Sequence, residues 1–361
     1  MTKDKKYWQK RSEDRLTDKL EHAERLNKRL DKHYKTALTQ LAKDINILYK
    51  QFASENGFDM ATANQLITGE EYQVWRMSMQ EYLARIDIAP EKLRQALELE
   101  LNTLTMRTRI TRLEAIQAEI KSNMILLAQD NERAAGELLE ESLSNTYYES
   151  MYDHYKDDNP KVLDLMASHD VRLSRAKIEE VLMQPWSGKN YSQAIWDNVF
   201  NLSHRIESMV AQNIMAGTSI DRLIKEMAQA MGKDKAYNIR RLLHTEIGYV
   251  KNQGDKLTYE KLEVERYEVL ETLDKATCKQ CGNIDGKVFY VKDAVPGKNF
   301  PPLHPFCRGT TVPYNPNRKT KTRMARDASG KSVKVPRDMS YKKWREWVGL
   351  EVENATQKQQ N

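Results

Sequence analysis

The sequence predicts an α+β fold that is predominantly α, with long N-terminal helices followed by a small α+β module. Three observations support this prediction. Apolar residues recur three and four positions apart over the first half of the chain, segments with the alternation typical of strands occur only after residue 260, and all three cysteines lie between residues 278 and 307. We therefore expect a short antiparallel sheet around the cysteines.

The composition indicates a polar, hydrated surface and enough apolar residues to build a core. The 361 residues are 40% hydrophobic and 30% charged, the net charge is +6, and the mean hydropathy is −0.76. The N-terminus has no apolar run typical of a secretory signal, and the longest apolar stretch, 124–128, is far too short to span a bilayer. We expect a protein made in the cytoplasm, with no membrane partner and no disulfide framework.

We expect the chain to be divided into three consecutive regions. Residues 1–185 are predicted to form a helical N-terminal region, in which an apolar stripe between residues 16 and 52 indicates one long amphipathic helix. Residues 186–314 are predicted to form the α+β module, and residues 315–361 a basic C-terminal tail. The helical stripes are expected to be ordinary helix–helix core.

Three short segments of the module are predicted to be strands. They are RYEVLETL (266–273), KVFYV (287–291) and GTTVPY (309–314), which are rich in β-branched and aromatic residues. Asp285 and Gly286 stand between apolar flanks and predict a tight hairpin turn.

The cysteines and one histidine form two closely spaced pairs. Cys278 and Cys281 are a C-x-x-C pair, and His304 and Cys307 are an H-x-x-C pair. Two such pairs supply the four nitrogen and sulfur ligands of a closed structural zinc site, so a Cys3His zinc clamp is the leading interpretation. Buried thiols without a metal remain an alternative, as does redox or catalytic use of the C-x-x-C pair.

Two acidic residues flank the C-x-x-C pair and raise the alternative of a metal-dependent nuclease. They are Asp274 and Asp285, for which turn and capping roles are expected instead. His244 and Glu246 are two residues apart on a predicted helix, so they point in different directions and do not form a joint site. The motifs of phosphate-binding loops, serine hydrolases and zinc proteases do not occur in the sequence, and we expect no enzymatic activity.

The tail concentrates positive charge among polar and small residues. We expect a weakly ordered basic arm that either contacts DNA phosphates without reading sequence or is merely solvated. A short helix is predicted near the end of the chain, with Trp344 and Trp347 on one face. The candidate DNA-binding residues of the arm are Arg318, Lys319, Lys321, Arg323 and Arg326.

Three segments of the module resemble the phage head morphogenesis family, the minor head proteins similar to protein F of phage Mu. The segments are RLLHTE, TLDKATCKQCGNIDGKVF and PGKNFPPLHPFCRGTTVPY. The upstream stretch PWSGKNYSQAIWDN resembles the version of the family found in phages of Gram-positive bacteria. His244 departs from the pattern, which has arginine at that position. Besides the Cys and His residues, the family motif falls on Thr245, Glu246, Asp274, Asp285, Gly286, Pro302, Pro305 and Arg308.

The resemblance implies a minor capsid protein of a tailed bacteriophage. Such a protein associates with the portal inside the procapsid and assists head assembly and DNA packaging or delivery. Capsid or scaffolding proteins and double-stranded DNA are the further partners that the resemblance suggests. The expected location is the capsid interior of the virion, and the host cytoplasm during assembly. A free zinc-containing protein that binds nucleic acid is a further alternative, besides the nuclease.

Overall fold

The computed structural model of the chain describes residues 5–56, 72–73, 84, 86–91, 93–94, 97, 110–156, 160–168, 170–215, 219–316, 322–336 and 339–349. Within these ranges the chain is mostly helical and contains a small antiparallel sheet, which confirms the predicted fold class. No helix in the described ranges has the length and apolar character needed to cross a membrane.

The described helices differ widely in length. In chain order they are α1 (Lys5–Asn56), α2 (Arg112–Tyr155), α3 (Pro160–Ala167), α4 (Arg175–Met183), α5 (Tyr191–Met215), α6 (Ile220–Asp234), α7 (Arg240–Lys261), α8 (Lys279–Ile284) and α9 (Tyr341–Trp347). A π-helical turn, Lys235–Ile239, joins α6 to α7. The long helix predicted from the stripe at 16–52 is confirmed and extends beyond it at both ends.

The described strands are short and antiparallel. They are β1 (Tyr72–Gln73), β2 (Ile110–Thr111), β3 (Arg266–Leu270), β4 (Val288–Tyr290), β5 (Thr310–Pro313), β6 (Thr322–Arg326) and β7 (Ser332–Pro336). The β1–β2 pair lies before residue 260, in the part of the chain where the sequence predicts no strand. Each of these strands has only two residues, which are too few to show alternation.

The chain folds into two compact units, each built from separated segments. Unit 1 comprises Met1–Ala23, Leu138–Gly188 and Leu243–Asn361, and unit 2 comprises Glu24–Glu137 and Lys189–Leu242. The predicted regions are instead consecutive along the chain. The difference arises because α1 and α2 each contribute residues to both units.

Unit 2 is a helical assembly with an apolar core and paired charges at its edge. Its part of α1 buries a stripe at three- and four-residue spacing, as an amphipathic helix does: Leu26, Leu30, Tyr34, Ala37, Leu41 and Ile45. Two ion pairs join α1 to the segment around the π-helical turn, Lys235 with Asp31 and Arg240 with Glu24.

Unit 1 contains the three-stranded sheet, in the order β4–β3–β5. All three strands coincide with segments predicted from the sequence, and Glu268 of β3 lies opposite Val288 on one side and Val312 on the other. Buried apolar side chains form the core on this sheet: Tyr259, Tyr267, Val269, Val291, Ala294 and Phe300. The predicted two-residue hairpin turn at Asp285–Gly286 is wrong, because α8 is inserted between β3 and β4.

The described part of the C-terminal tail is folded, which corrects the expectation of a weakly ordered arm. Strands β6 and β7 form a hairpin, and α9 follows. The predicted final helix is therefore confirmed, but only Trp344 is buried, whereas Trp347 is 51% exposed. The hairpin and α9 enclose a small core of their own, made of Leu273, Ala325, Val335, Tyr341 and Trp344.

A buried cluster of charges connects the N-terminal part of α1 to α7 within unit 1. Lys251 donates a hydrogen bond to Ser12 (2.6 Å) and forms an ion pair with Asp255 (2.9 Å). Arg15 contacts Asp255 (3.1 Å) and Asp153. Burial lowers the pKa of Lys251. Because each charge is held by an opposite one, the N-terminal end of α1 is an integral part of unit 1.

Candidate metal centre

Helix α8 brings the two thiols of the C-x-x-C pair together. Cys278 is the N-cap residue of α8, and its sulfur accepts a hydrogen bond from the backbone N–H of Cys281 (3.4 Å). Residues three apart in the first turn of a helix lie on the same side, so both sulfurs face one point. Cys281 is buried and Cys278 is half-buried.

The H-x-x-C pair lies on a tight turn before β5. The N–H of Cys307 donates to the carbonyl of His304 (3.1 Å), which closes the turn. Phe306 within it has a φ of 61°, a left-handed conformation that is uncommon for a bulky residue. The Phe306 N–H donates to Thr245 Oγ1 of α7 (3.2 Å), so α7 holds the turn in this conformation.

The ring of His304 is oriented for metal binding. Its Nδ1 lies 2.7 Å from the carbonyl of Pro305. A carbonyl only accepts hydrogen bonds, so Nδ1 carries the hydrogen and Nε2 of the neutral ring keeps a free lone pair. That Nε2 atom lies 3.1 Å from both Cys278 Sγ and Cys281 Sγ.

The four predicted ligands lie close together but fall into two groups that share Cys281, and His304 Nε2 is nearer to the two sulfurs (3.1 Å) than ligand atoms around zinc are to one another. Cys281 Sγ lies 3.6 Å from Cys307 Sγ, and zinc bound to sulfur and nitrogen holds its ligand atoms about 3.5–3.8 Å apart. The residues form two groups whose ligand atoms lie within 4.8 Å of one another. One is Cys278, Cys281 and His304, and the other is Glu271, Cys281 and Cys307.

Glu271 is the member of this site that sequence reasoning missed. It follows β3 directly, is 3% exposed, and its Oε1 has no hydrogen-bond partner among the described residues. Burial and the negative charge of Cys307 raise the pKa of Glu271 well above its ordinary value. The available signal was the pattern of β3, whose last four residues are all buried, so a carboxylate directly after it would also be buried.

The two thiols of the second group have divergent acidities. The hydrogen bond between Cys281 and Cys307 lowers the pKa of Cys307, although burial acts in the opposite direction. The same hydrogen bond and burial together raise the pKa of Cys281. The thiolate is the form of cysteine that binds metals, and Cys307 is the thiol of this pair whose ionised form is favoured.

The acidic residues that flank the C-x-x-C pair are both held by arginines. Arg308 donates to both oxygens of Asp274 (2.8 and 2.6 Å), and Asp274 also accepts from the backbone N–H of Ala276 (3.0 Å). Although partial burial acts in the opposite direction, Arg308 holds the pKa of Asp274 below its ordinary value. Asp285 is engaged in the same way by Arg323, which is 3% exposed. Both arrangements are structural ones, with the carboxylates already neutralised.

The adjacent motif residues Thr245 and Glu246 form hydrogen bonds with different neighbours. Thr245 supports the H-x-x-C turn through Phe306, whereas Glu246 is buried and accepts a hydrogen bond from Trp186 Nε1 (3.2 Å). Burial raises the pKa of Glu246 to about 7, although the Trp186 hydrogen bond acts in the opposite direction. The ring of His244 lies 5.6 Å from that of Phe306, so this position also faces the turn.

The remaining motif residues shape the backbone around the cluster. Gly286 has a φ of 74°, and its N–H donates to the carbonyl of Val269 (2.8 Å), so the chain leaves α8 in a conformation that glycine adopts without strain. Pro302 follows a cis peptide bond, and its carbonyl accepts a hydrogen bond from Gly297 (3.0 Å). Pro305 contributes the carbonyl that orients His304.

The structure places the candidate DNA-binding residues of the tail in different environments. Arg318, Lys319 and Lys321 lie outside the described residues. The prediction for Arg323 is wrong, because its guanidinium is buried against Asp285 and is not presented to a ligand. Arg326 is exposed and donates to the carbonyl of Gly330 (3.1 Å).

The helices, the small sheet and the Cys/His cluster define a helical protein with a compact α+β module that could hold a metal ion. Residues 204–312 match the model of the family described as phage Mu protein F like protein, so this segment belongs to the phage head morphogenesis family. The match contains all four predicted metal ligands. No curated protein and no solved structure gave a match to the chain.

The matched segment indicates a role in phage head morphogenesis and interaction with other phage head proteins. It also associates the protein with the virion. A structural role of this kind agrees with the expectation that the protein is not an enzyme.

Proposed function

We propose that the protein is a minor capsid protein of a tailed bacteriophage that associates with the portal inside the procapsid and assists head assembly and DNA packaging or delivery. The observation that carries the proposal is the family match over 204–312, which coincides with the best-defined chemistry of the chain. The host cytoplasm is its location before assembly.

A structural zinc ion, held by Cys278, Cys281, His304 and Cys307, is part of this proposal. The ion would cross-link the start of α8 to the H-x-x-C turn and would supply no reaction chemistry, because a closed site leaves no open ligand position. A small apolar cluster of Cys281, Leu303 and Cys307 supports this corner, with Ile284 packed against it. A metal cross-link would therefore add stability that burial alone does not provide.

One helical face of unit 1 supports contact with a partner protein. Tyr148, Tyr152 and Tyr155 of α2 are 44%, 52% and 42% exposed, and their spacing places them on the same side of the helix. The rings of Tyr152 and Tyr155 stack with centroids 6.3 Å apart. Exposed tyrosines are enriched where proteins bind other proteins, so we assign this tyrosine face to contact with another head protein.

The test of the proposal is co-expression with the portal protein from the same genome, followed by size exclusion. We expect the two proteins to elute together in a fixed ratio. Replacing Tyr152 and Tyr155 by serine should weaken co-elution, whereas the control Trp347→Ser, which removes another exposed aromatic ring, should not. Clean separation of the native protein from the portal would refute portal association.

The nuclease alternative has no specific support in the described residues. Asp274 and Asp285, the carboxylates on which it depended, are each bound by an arginine. A nuclease would instead need carboxylates free to bind a catalytic metal ion. Cleavage of DNA by the purified protein with Mg²⁺ or Mn²⁺ would restore that alternative.

A further inference from the structure

The exposed face of α1 in unit 2 is strongly basic. Its cationic side chains are all exposed and have no ion pair with the described residues: Lys28, Arg29, Lys32, Lys35 and Lys43. We call this set the α1 basic face. The sequence shows these charges only as one part of a highly charged helix, because acidic residues are interspersed among them.

The acidic residues nearest to the α1 basic face have other partners or are buried, although Asp31 borders the face. Asp31 pairs with Lys235, Glu24 pairs with Arg240 at 2.6 Å, and Asp44 is buried. At 3.6 residues per turn, the five cations lie within an arc of about 120° and extend about 23 Å along the helix. No acidic side chain of α1 falls within this arc between Lys28 and Lys43. The face is therefore a continuous band of positive charge.

The other side chains on this arc indicate which anion the band suits. Thr36 and Thr39 share it and are polar, Gln40 borders it, and no aromatic or large apolar side chain of α1 lies among them. Protein–protein contacts are depleted in lysine and enriched in aromatic residues, so an acidic protein fits this surface poorly. Single-stranded nucleic acid is bound by aromatic stacking, which the face does not offer. Lysine, arginine and threonine side chains are instead typical contacts to phosphates of a duplex.

We propose that the α1 basic face binds the phosphate backbone of double-stranded DNA without reading its sequence. The inference rests on the proposed function, because a head protein of the capsid interior meets packaged DNA. It places the DNA contact on a rigid helix of unit 2 and not on the basic tail. The band matches an extended polyanion, and each cation that binds a phosphate releases a counterion, so the binding is expected to weaken steeply with salt.

The experiment compares two variants of the full chain that lose the same charge. The α1 variant carries Lys28→Gln, Arg29→Gln, Lys32→Gln and Lys35→Gln, and the tail variant carries Arg318→Gln, Lys319→Gln, Lys321→Gln and Arg326→Gln. Glutamine is a good helix former, so the α1 variant should retain its helicity, which circular dichroism checks. Binding to two short duplexes of unrelated sequence is measured by fluorescence anisotropy over a salt series.

We expect the native protein and the tail variant to bind both duplexes alike. The α1 variant should bind at least about tenfold more weakly, with a salt slope smaller by up to about 4. Equal losses in both variants, a loss confined to the tail variant, or no binding by the native protein would each overturn the proposal. Co-elution with the portal is measured on the same samples, so failure of the portal association is seen separately. An α1 variant that loses co-elution, when the native protein binds no DNA, would identify the face as a protein contact.

Discussion

The guanidinium of Arg323 in β6 forms a bidentate pair with the carboxylate of Asp285, which follows the last residue of α8. The two hydrogen bonds measure 2.6 and 2.8 Å, and the side chains are only 2% and 1% exposed. A third hydrogen bond, from Arg323 to the carbonyl of Glu271 (2.9 Å), extends the contact toward the candidate metal centre. Arg323, a residue of the basic tail, thus connects the β6–β7 hairpin to the α+β module.

Removal of this arginine should destabilise unit 1 strongly. Arg323→Ala leaves Asp285 buried without its counter-charge, which costs about 3–5 kcal/mol. Chemical denaturation provides the measurement, and Arg326→Ala, an exposed position of the same strand, is the control with an expected change of at most about 0.5 kcal/mol. Equal stabilities of the two variants would show that the ion pair does not form in solution.

The packing of α9 against α8 should be disturbed by a methyl group added at Gly282 of α8. A Cβ at Gly282 would lie 2.0 Å from a ring carbon of Tyr341, so Gly282→Ala must displace that ring. We expect a loss of about 1–3 kcal/mol and faster proteolysis near α9. The matched control is Gly232→Ala in α6, where nothing lies within 4 Å of the added atom and alanine should stabilise the helix by up to about 1 kcal/mol. A neutral Gly282→Ala would contradict the packing of Tyr341.

Glu246 makes stability depend on pH between about 4.5 and 7. Burial raises its pKa from 4.5 to about 7 in the folded chain, so the folded state binds the proton more tightly than the unfolded state. The contribution of Glu246 is therefore most favourable below pH 4.5 and declines as the pH rises to 7, by about 3 kcal/mol at most. Glu246→Gln keeps an acceptor for Trp186 and should be more stable than the native protein at pH 8 but not at pH 4.5. Parallel denaturation curves of both proteins at the two pH values provide the measurement.

Asp274 should show the opposite dependence on pH. Its folded pKa lies below 3.8, so its pairing with Arg308 stabilises the protein above that value and is lost as the pH falls through the folded pKa. Because Arg308 is 37% exposed, the effect of Asp274→Asn is expected to be only about 1 kcal/mol at neutral pH. The difference in stability between the variant and the native protein should shrink as the pH falls below 3.8. A difference that persists undiminished at pH 3 would argue against the ion pair.

Metal analysis of the folded protein should find about one zinc ion per chain, and a chelator should lower its stability. Cys281 belongs to both ligand groups, so Cys281→Ser should cause the largest loss of metal. Two further variants test whether His304 or Glu271 binds the metal ion. His304→Ala should abolish tight binding if the Cys3His set holds the ion, whereas Glu271→Gln should do so only if Glu271 is a ligand. Folded protein without metal would refute the zinc centre.

The sequence predicts those parts of the fold that depend on local pattern. The stripe of α1, the strands β3, β4 and β5, and the helix near Trp344 each follow from residues that are neighbours in the chain. The C-x-x-C spacing of Cys278 and Cys281, which predicts that the two thiols lie together, is likewise a local pattern. Such features are set by periodicity, which is visible without knowledge of the tertiary structure.

The features that sequence reasoning missed depend on distant partners. Arg323 and Asp285 are 38 residues apart, and a run of basic residues gave no reason to expect that one of them is buried. Glu271 lies close to Cys281 and Cys307, and Cys307 belongs to a turn 36 residues further along the chain. The pattern around Asp285 and Gly286 predicts a hairpin turn, because α8, a helix of six residues, is too short for its periodicity to be detected.

The buried contact between Arg15 and Asp255 joins residues 240 positions apart. The ribosome delivers Arg15 at the start of translation and Asp255 only after most of the chain has been made. Until then the first turns of α1 carry a cation whose permanent neighbours do not yet exist, so they must stay hydrated. Maturation of unit 1 is consequently a late event in biosynthesis, and an amino-terminal truncation that removes Arg15 damages a region encoded more than two hundred codons downstream.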